Sequence, residues 1–580
     1  MMREKRRLLA AAAATAALAA APAAQADDFV KEPTATGSGG AAATVDALAT
    51  QAAVAELRDG HNAVDAAVAA AGVLGVTEPF SSGIGGGGFM VIRTRSGKIT
   101  TIDGRETAAA AMGPTSFFDE TGKPLPFDNA YDTARWTGMS VGVPGTVATW
   151  DEALDRYGTI SLARALDPGE RVARDGFTVD KTFFDQTNAV KDWFDDVPST
   201  AAIYLDRDGT PRDIGTTLRN PDMARAYDYI EQHGASGFYR GPIAQAIVKA
   251  VQRPPIAPTA NHRWRPGVMT ADDMAGYRAI ERKPTHVGYR GLDVWSMGPP
   301  SSGGSTVGEA LNILEGFNPL GKDRAQAFHR YIEASRYAFA DRNAYLADPA
   351  YYDVPLTTLL SDDYAAKRRA NIGDKSANAV VAPGPADQEK GTSTTHISVA
   401  DRWGNVVAYT FTIESTGGDG IVVPGWGFLL NNELTDFNFD STTHPNRVEA
   451  GKRPRSSMSP TILTRAGAPF LTVGSPGGST IITTVLEILV DRLDLGATLP
   501  EAIVDPRVSQ RNSAISGAEP AFISSPLAAQ LVSDYGHNPF SSAGEIGAAT
   551  GIEFLRGGKL EAAAEPVRRG GGSAGVVSQK

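Results

Sequence analysis

The sequence predicts an α+β protein, on two observations. Side chains roughly alternate polar and apolar from Thr394 to Val399 and again from Val406 to Thr412, on either side of Arg402-Trp403-Gly404-Asn405, the pattern of a β-hairpin. Elsewhere apolar residues recur at helical spacing between capping residues. The alanine-rich stretch Ala41 to Leu57 reads as a helix ended by Gly60, and Asn62 caps a second through Val64, Ala67, Val68 and Leu74. Further helices are expected from Pro144 to Tyr157, Ser161 to Asp175, Thr306 to Gly316, after a turn at Gly298 to Ser305, and Ala325 to Ala347.

The chain has 580 residues, of which 42% are hydrophobic and 21% charged, enough for a substantial core. A formal net charge of −11 with no basic stripe argues against a nucleic-acid partner. There are no cysteines, so disulfides, thiol nucleophiles and Cys-ligated metals are excluded. The eight histidines show no ligand spacing, and His396 alternates with Thr395 and Ile397 as a structural strand residue, so neither metal nor cofactor is expected. Met1 to Ala26 reads as a signal peptide: Arg3, Lys5, Arg6 and Arg7 precede an Ala/Leu run, and Ala24-Gln25-Ala26 fits the cleavage rule. Export to the periplasm or outside the cell is expected, and no later segment spans a membrane.

Gly83, Gly85 and Gly88 formally make GxGxxG, but this run leads into the strand Phe89 to Ile92 instead of joining a strand to a helix. Close backbone packing is the better reading. GxSxG at Gly571, Ser573 and Gly575 lies in a Gly/Arg-rich tail, expected to be disordered from about residue 566, with no nucleophile elbow.

The chemistry is placed at the start of the hairpin. Taken alone, Thr394 and Thr395 read as ordinary strand residues. If the bond between Ser393 and Thr394 were cut, Thr394 would carry a hydroxyl nucleophile and a free α-amine to serve as its base. An α-amine titrates near pH 8, so no histidine is needed. The polar, Pro/Gly/Ala-rich stretch Ala370 to Lys390 reads as a connector that swings away after such a cut.

Polar, glycine-rich turns on apolar strands follow, the composition of a site built on loops. TTHISV at Thr394, SGIGGGGFM at Ser82, DGRET at Asp103, NNELTDF at Asn431, KRPRSSMSPT at Lys452 and GSPGG at Gly474 together resemble the γ-glutamyltranspeptidase family of N-terminal-nucleophile hydrolases. The resemblance implies a four-layer αββα sandwich, a single large domain formed by two autoprocessed subunits, 27–393 and 394–580. It implies transfer of the γ-glutamyl group of glutathione or a similar small donor to water or to an amino acid or peptide amine. On these positions Thr394 would be the nucleophile, oriented by Thr412, with Gly477 and Gly478 supplying oxyanion N–H groups. Arg105, Ser456 and Ser457 would hold the substrate α-carboxylate, and Glu433 and Asp436 its ammonium. Singly, Arg105 reads as a surface ion pair and the serines and glycines as turn residues.

Two departures stand out. Glu414 occupies a place where some members carry asparagine, which adds negative charge near the ammonium clamp. Asn438 to Gly451 is short beside members with a lid loop, so an open pocket admitting larger donors or acceptors is expected. Two alternatives stay open: a cephalosporin or glutaryl acylase of the same fold, and an uncleaved, inactive exported binding protein.

Overall fold

The hairpin forms as its alternation requires. In the computed structural model, which describes residues 31–382 and 394–578, Thr395–Asp401 pairs antiparallel with Val406–Thr412, Thr395 opposite Phe411 and Ala400 opposite Val406. The expected signal peptide, Ser393 and the 383–390 part of the connector lie outside the described residues. In the turn the Asp401 carboxylate accepts from the N–H groups of Trp403 (2.8 Å) and Asn405 (2.9 Å).

Both strands are buried on both faces, so the alternation separates two cores instead of core from solvent. Ile397, Val399, Val407, Tyr409 and Phe411 pack in one core, and Ala400, Val406 and Ala408 in the other. By the same period of two, His396, Ser398, Thr410 and Thr412 share the face of Ala400 and Ala408.

This hairpin is the middle of a seven-stranded antiparallel sheet. Its order is Ser573–Val576, Gly40–Thr44, Thr395–Asp401, Val406–Thr412, Gly87–Arg93, Ile99–Gly104 and Ile280–Arg282. A second seven-stranded sheet runs Thr34–Gly37, Leu560–Ala564, Thr550–Phe554, Ala468–Gly474, Thr461–Arg465, Leu292–Ser296 and Thr285–Tyr289. The sheets face each other; helices Ala47–Asp59 and Ala63–Thr77 cover the first, and Gly303–Glu315, Thr480–Leu493 and Leu499–Val504 cover the second. Helix, sheet, sheet, helix is the expected four-layer order.

Three expectations are corrected. Ala41 to Leu57 is not one helix: Gly40–Thr44 is a fully buried strand, and the helix starts at Ala47 after Asp46 accepts the Ala49 N–H at 2.9 Å. Alanine's helix preference yields there to a slot between two strands that admits only small side chains. The helix expected from Thr306 starts at Gly303, inside the stretch read as a turn.

The tail expected to be disordered from about residue 566 is ordered through residue 578, the last one described. Ser573–Val576 pairs with Gly40–Thr44, and buried Arg568 donates to Glu519 at 2.6 Å and to Glu565 at 2.8 Å. Its glycines permit close packing: a Cβ on Gly572 would stand 2.6 Å from Thr44 O. Ser573 is a strand residue, not an elbow nucleophile. The run at Gly83 to Gly88 serves close approach, as expected; a Cβ on Gly88 would stand 2.4 Å from Thr410 O.

Candidate active site

Thr394 enters the hairpin from its open end, 3% exposed, opposite Thr412. The two hydroxyl oxygens are 3.3 Å apart, and the Thr412 hydroxyl also accepts the Glu414 N–H at 2.8 Å, which fixes it. The Thr394 carbonyl accepts from Arg569 Nη1 at 2.7 Å, while the other Arg569 nitrogen reaches Ser81 Oγ and lies 3.7 Å from Glu78. Burial pushes the Glu78 carboxyl up to about 7.

These hydroxyls open on a narrow cleft lined by Arg105, Thr394, Thr412, Glu414, Glu433, Asp436, Ser456, Ser457, Met458, Gly478 and Ile481. Nine of these are residues the sequence pointed to; Met458 and Ile481 are apolar wall that it did not. Gly477, also expected, lies one residue outside that lining.

Arg105 follows the strand Ile99–Gly104 and is fully buried. Its Nε donates to Pro454 O at 3.1 Å and its Nη2 to Arg455 O at 3.0 Å; the guanidinium also pairs with Glu433 and Asp436. The expected carboxylate and ammonium clamps therefore meet in one ion cluster. Glu433–Asp436 is a single 3-10 turn, set by Asn431 Oδ1, which accepts the Glu433 N–H at 3.0 Å.

Glu414 sits at a left-handed φ of 78°, and its carboxylate accepts from Ser415 and Asn432. Burial raises its carboxyl above the usual range, opposed first by the Ser415 hydrogen bond, then by Arg135 and Asn432. Burial therefore outweighs the donors grouped around this carboxyl. Ser456 and Ser457 occupy the strip before Met458, where Ser457 Oγ accepts from Arg342 Nη2 at 2.8 Å.

Gly477 and Gly478 link the strand Ala468–Gly474 to the helix Thr480–Leu493, at φ of 135° and 57°. Their carbonyls accept from Thr480 N (3.2 Å) and Ile481 N (3.0 Å), so the loop runs directly into the helix N-terminus, where the dipole favours negative charge.

His396 lies in the same inter-sheet layer, with Nδ1 2.7 Å from Thr410 Oγ1 and Nε2 3.2 Å from Ser398 Oγ. Burial drives its pKa down to about 3, so it is neutral at working pH. Among the described residues no group of three or more His, Cys, Asp or Glu could hold a metal, and no helix is long and apolar enough to cross a membrane.

A family model described as Gamma-glutamyltranspeptidase matches residues 49–575. The chain belongs to the γ-glutamyltranspeptidase family. Within it, the "Glutathione hydrolase proenzyme" of Escherichia coli (strain K12) is 39% identical over 482 residues, 81% of this chain and 80% of that one. The "Acylase ACY 1 proenzyme" of Pseudomonas sp. (strain V22) is 34% identical over 553 residues, 93% of this chain and 94% of that one. Among solved structures, a cephalosporin acylase from Bacillus halodurans superposes with a TM-score of 0.82 at 28% identity, covering 95% of this chain and 98% of that one. Membership of the γ-glutamyltranspeptidase family fits the site's layout: a threonine at the mouth of the central hairpin, facing a charged cleft.

Two contributors left no trace in the sequence reading. Arg342 and Arg569 reach the site from a helix and from the tail, and no local pattern marked either.

Proposed function

We propose that this chain is an exported, self-cleaving γ-glutamyltransferase and glutathione hydrolase with Thr394 as nucleophile. The observation that carries it is the Thr394 hydroxyl, 3.3 Å from Thr412 Oγ1, facing a cleft in which Arg105 stands against Glu433 and Asp436. A cleft with adjacent guanidinium and carboxylates complements a zwitterion, the form of the glutamyl α-carbon.

In the precursor, Thr394 Oγ attacks the Ser393 carbonyl and the amide shifts to an ester. Water then splits the ester, leaving a Ser393 carboxylate and a Thr394 amine. In the mature enzyme that amine takes the hydroxyl proton as Oγ adds to the γ-carbonyl of the donor. Gly477 and Gly478 N–H groups support the oxyanion, where loss of one donor typically costs about 3 kcal/mol. The Thr394 ammonium passes that proton to the leaving amine as the C–N bond breaks, and water or an acceptor amine releases the γ-glutamyl group from the ester. Thr412, held by the Glu414 N–H, fixes the Thr394 hydroxyl for both reactions.

Arg105, Ser456 and Ser457 would bind the donor α-carboxylate, and Glu433 with Asp436 its ammonium. Glu414, tied to Ser415 and Asn432, would shape the ammonium side more than add a free charge. The two segments 27–393 and 394–580 would remain partners after cleavage, sharing the first sheet through the pairing of Val406–Thr412 with Gly87–Arg93.

The acylase relatives favour a second reading, hydrolysis of a glutaryl-type amide that lacks the ammonium. Turnover of γ-glutamyl-p-nitroanilide against glutaryl-p-nitroanilide separates the two. The proposal expects the first to be strongly preferred, and preference for the second overturns it. The short 438–451 stretch supports an open pocket; strong transfer to a dipeptide with rejection of long donors would contradict that part.

A further inference from the structure

Ser457 is held by a residue from the other segment. Helix Arg324–Tyr345 carries Arg342 into the core behind the cleft, where it is 1% exposed. Its Nη2 donates to Ser457 Oγ at 2.8 Å, its Nε to Ser302 Oγ at 2.9 Å and its Nη1 to Asn343 Oδ1 at 2.9 Å. Ser302 in turn grips the same strip: its N–H and its hydroxyl both donate to Ser456 O, at 2.7 and 2.6 Å. Ser301 Oγ donates to Met458 O at 2.6 Å. Helix, guanidinium and the Ser301-Ser302 turn form a bracket around Ser456 to Met458, so the stretch that the sequence offered only as a turn supports the site.

The bracket fixes a direction as well as a position. A guanidinium has only donors and keeps its proton at any working pH, whereas a hydroxyl has one proton and two acceptor lone pairs. An oxygen that accepts from Arg342 must give its single proton elsewhere, and Ser457 lines the cleft. Arg105 has less to give. Four of its five N–H groups already go to Pro454 O, Arg455 O, Glu433 and Asp436.

We propose that Arg342 is a positioning residue for donor binding: it orients Ser457 to give its proton to the α-carboxylate of the γ-glutamyl donor. A cation one hydroxyl away also polarises that O–H, strengthening its bond to an anion. The inference rests on the γ-glutamyl reading.

The test uses Arg342→Met, Ser457→Ala and the double variant, each checked for cleavage into two fragments. Two donors are compared: γ-glutamyl-p-nitroanilide and 4-aminobutanoyl-p-nitroanilide, which keeps the ammonium and lacks the α-carboxylate. Arg342→Met should raise KM for the first about tenfold or more, the loss of a charge-assisted hydrogen bond, with kcat within about threefold. KM for the second donor should not move, and the double variant should be no worse than Ser457→Ala alone. Equal losses on both donors, or additive losses in the double variant, overturn the inference and leave Arg342 a structural residue. Arg342→Lys serves the same comparison if the methionine variant does not assemble; it should recover part of the KM for the first donor only, and recovery on both overturns the inference. If the wild type itself ignores γ-glutamyl-p-nitroanilide yet cleaves the glutaryl amide, the γ-glutamyl reading fails and the inference falls with it.

Discussion

Acid should loosen this protein through His396, and the effect can be worked from its surroundings. The ring is fully buried between the sheets, against Gly474, where a Cβ would stand 2.3 Å from its Cε1. Burial lowers its pKa from 6.5 to about 3. The unfolded chain therefore binds a proton below 6.5 that the folded chain refuses, so stability is full above 6.5 and is lost as pH falls toward 3. At pH 5, about 1.5 units below the unfolded value, the loss comes to about 2 kcal/mol at about 1.4 kcal/mol per unit. The assay is urea unfolding of the uncleavable Thr394→Ala chain at pH 7 and pH 5, with and without His396→Gln. The glutamine keeps a polar partner for Thr410 and Ser398 but cannot take the proton. The variant should lose about 2 kcal/mol less than its parent between the two pH values. Equal losses would refute the account of a neutral, structural His396, and with it the argument that the nucleophile's base lies elsewhere.

Three further perturbations probe the site. Thr412→Val leaves the buried Glu414 N–H without the acceptor it has at 2.8 Å and Thr394 without its neighbour; at about 1–3 kcal/mol for an orphaned donor, autocleavage and kcat should both fall about 10- to 100-fold, read from a gel time course and turnover. Gly477→Ala forces a side chain on a φ of 135° with its Cβ 2.7 Å from Thr480 Oγ1; kcat should fall by at least about tenfold, and an unchanged kcat would remove this loop from the oxyanion role. Arg105→Lys keeps the charge but loses the fork that spans Pro454, Arg455, Glu433 and Asp436. KM for γ-glutamyl-p-nitroanilide should then rise about tenfold or more.

The hairpin could be read from the sequence because two strands joined by a short turn keep their partners local, and alternation records both faces. The loops of the cleft could be read because glycine, serine and charge in turns between apolar strands are unusual enough to be noticed. The strand Gly40–Thr44 could not, since a glycine, three alanines and a threonine carry no period, and only its neighbours decide its conformation. The tail failed for the same reason: its glycines signal freedom in isolation and close packing once Gly40–Thr44 lies beside them. Arg342 and Arg569 act across 115 and 175 residues of chain, on Ser457 and Thr394, and such pairings leave nothing in a local window. The ion cluster of Arg105 with Glu433 and Asp436 was half legible. The residue types were evident, but not that one guanidinium would meet both carboxylates.

The most direct test of the central claim is intact mass and N-terminal sequencing of the purified wild type beside Thr394→Ala, followed by γ-glutamyl-p-nitroanilide turnover on both. The account predicts two fragments in the wild type alone, one beginning at Thr394, and turnover confined to that preparation. A single uncut wild-type chain, or turnover that survives Thr394→Ala, would contradict it.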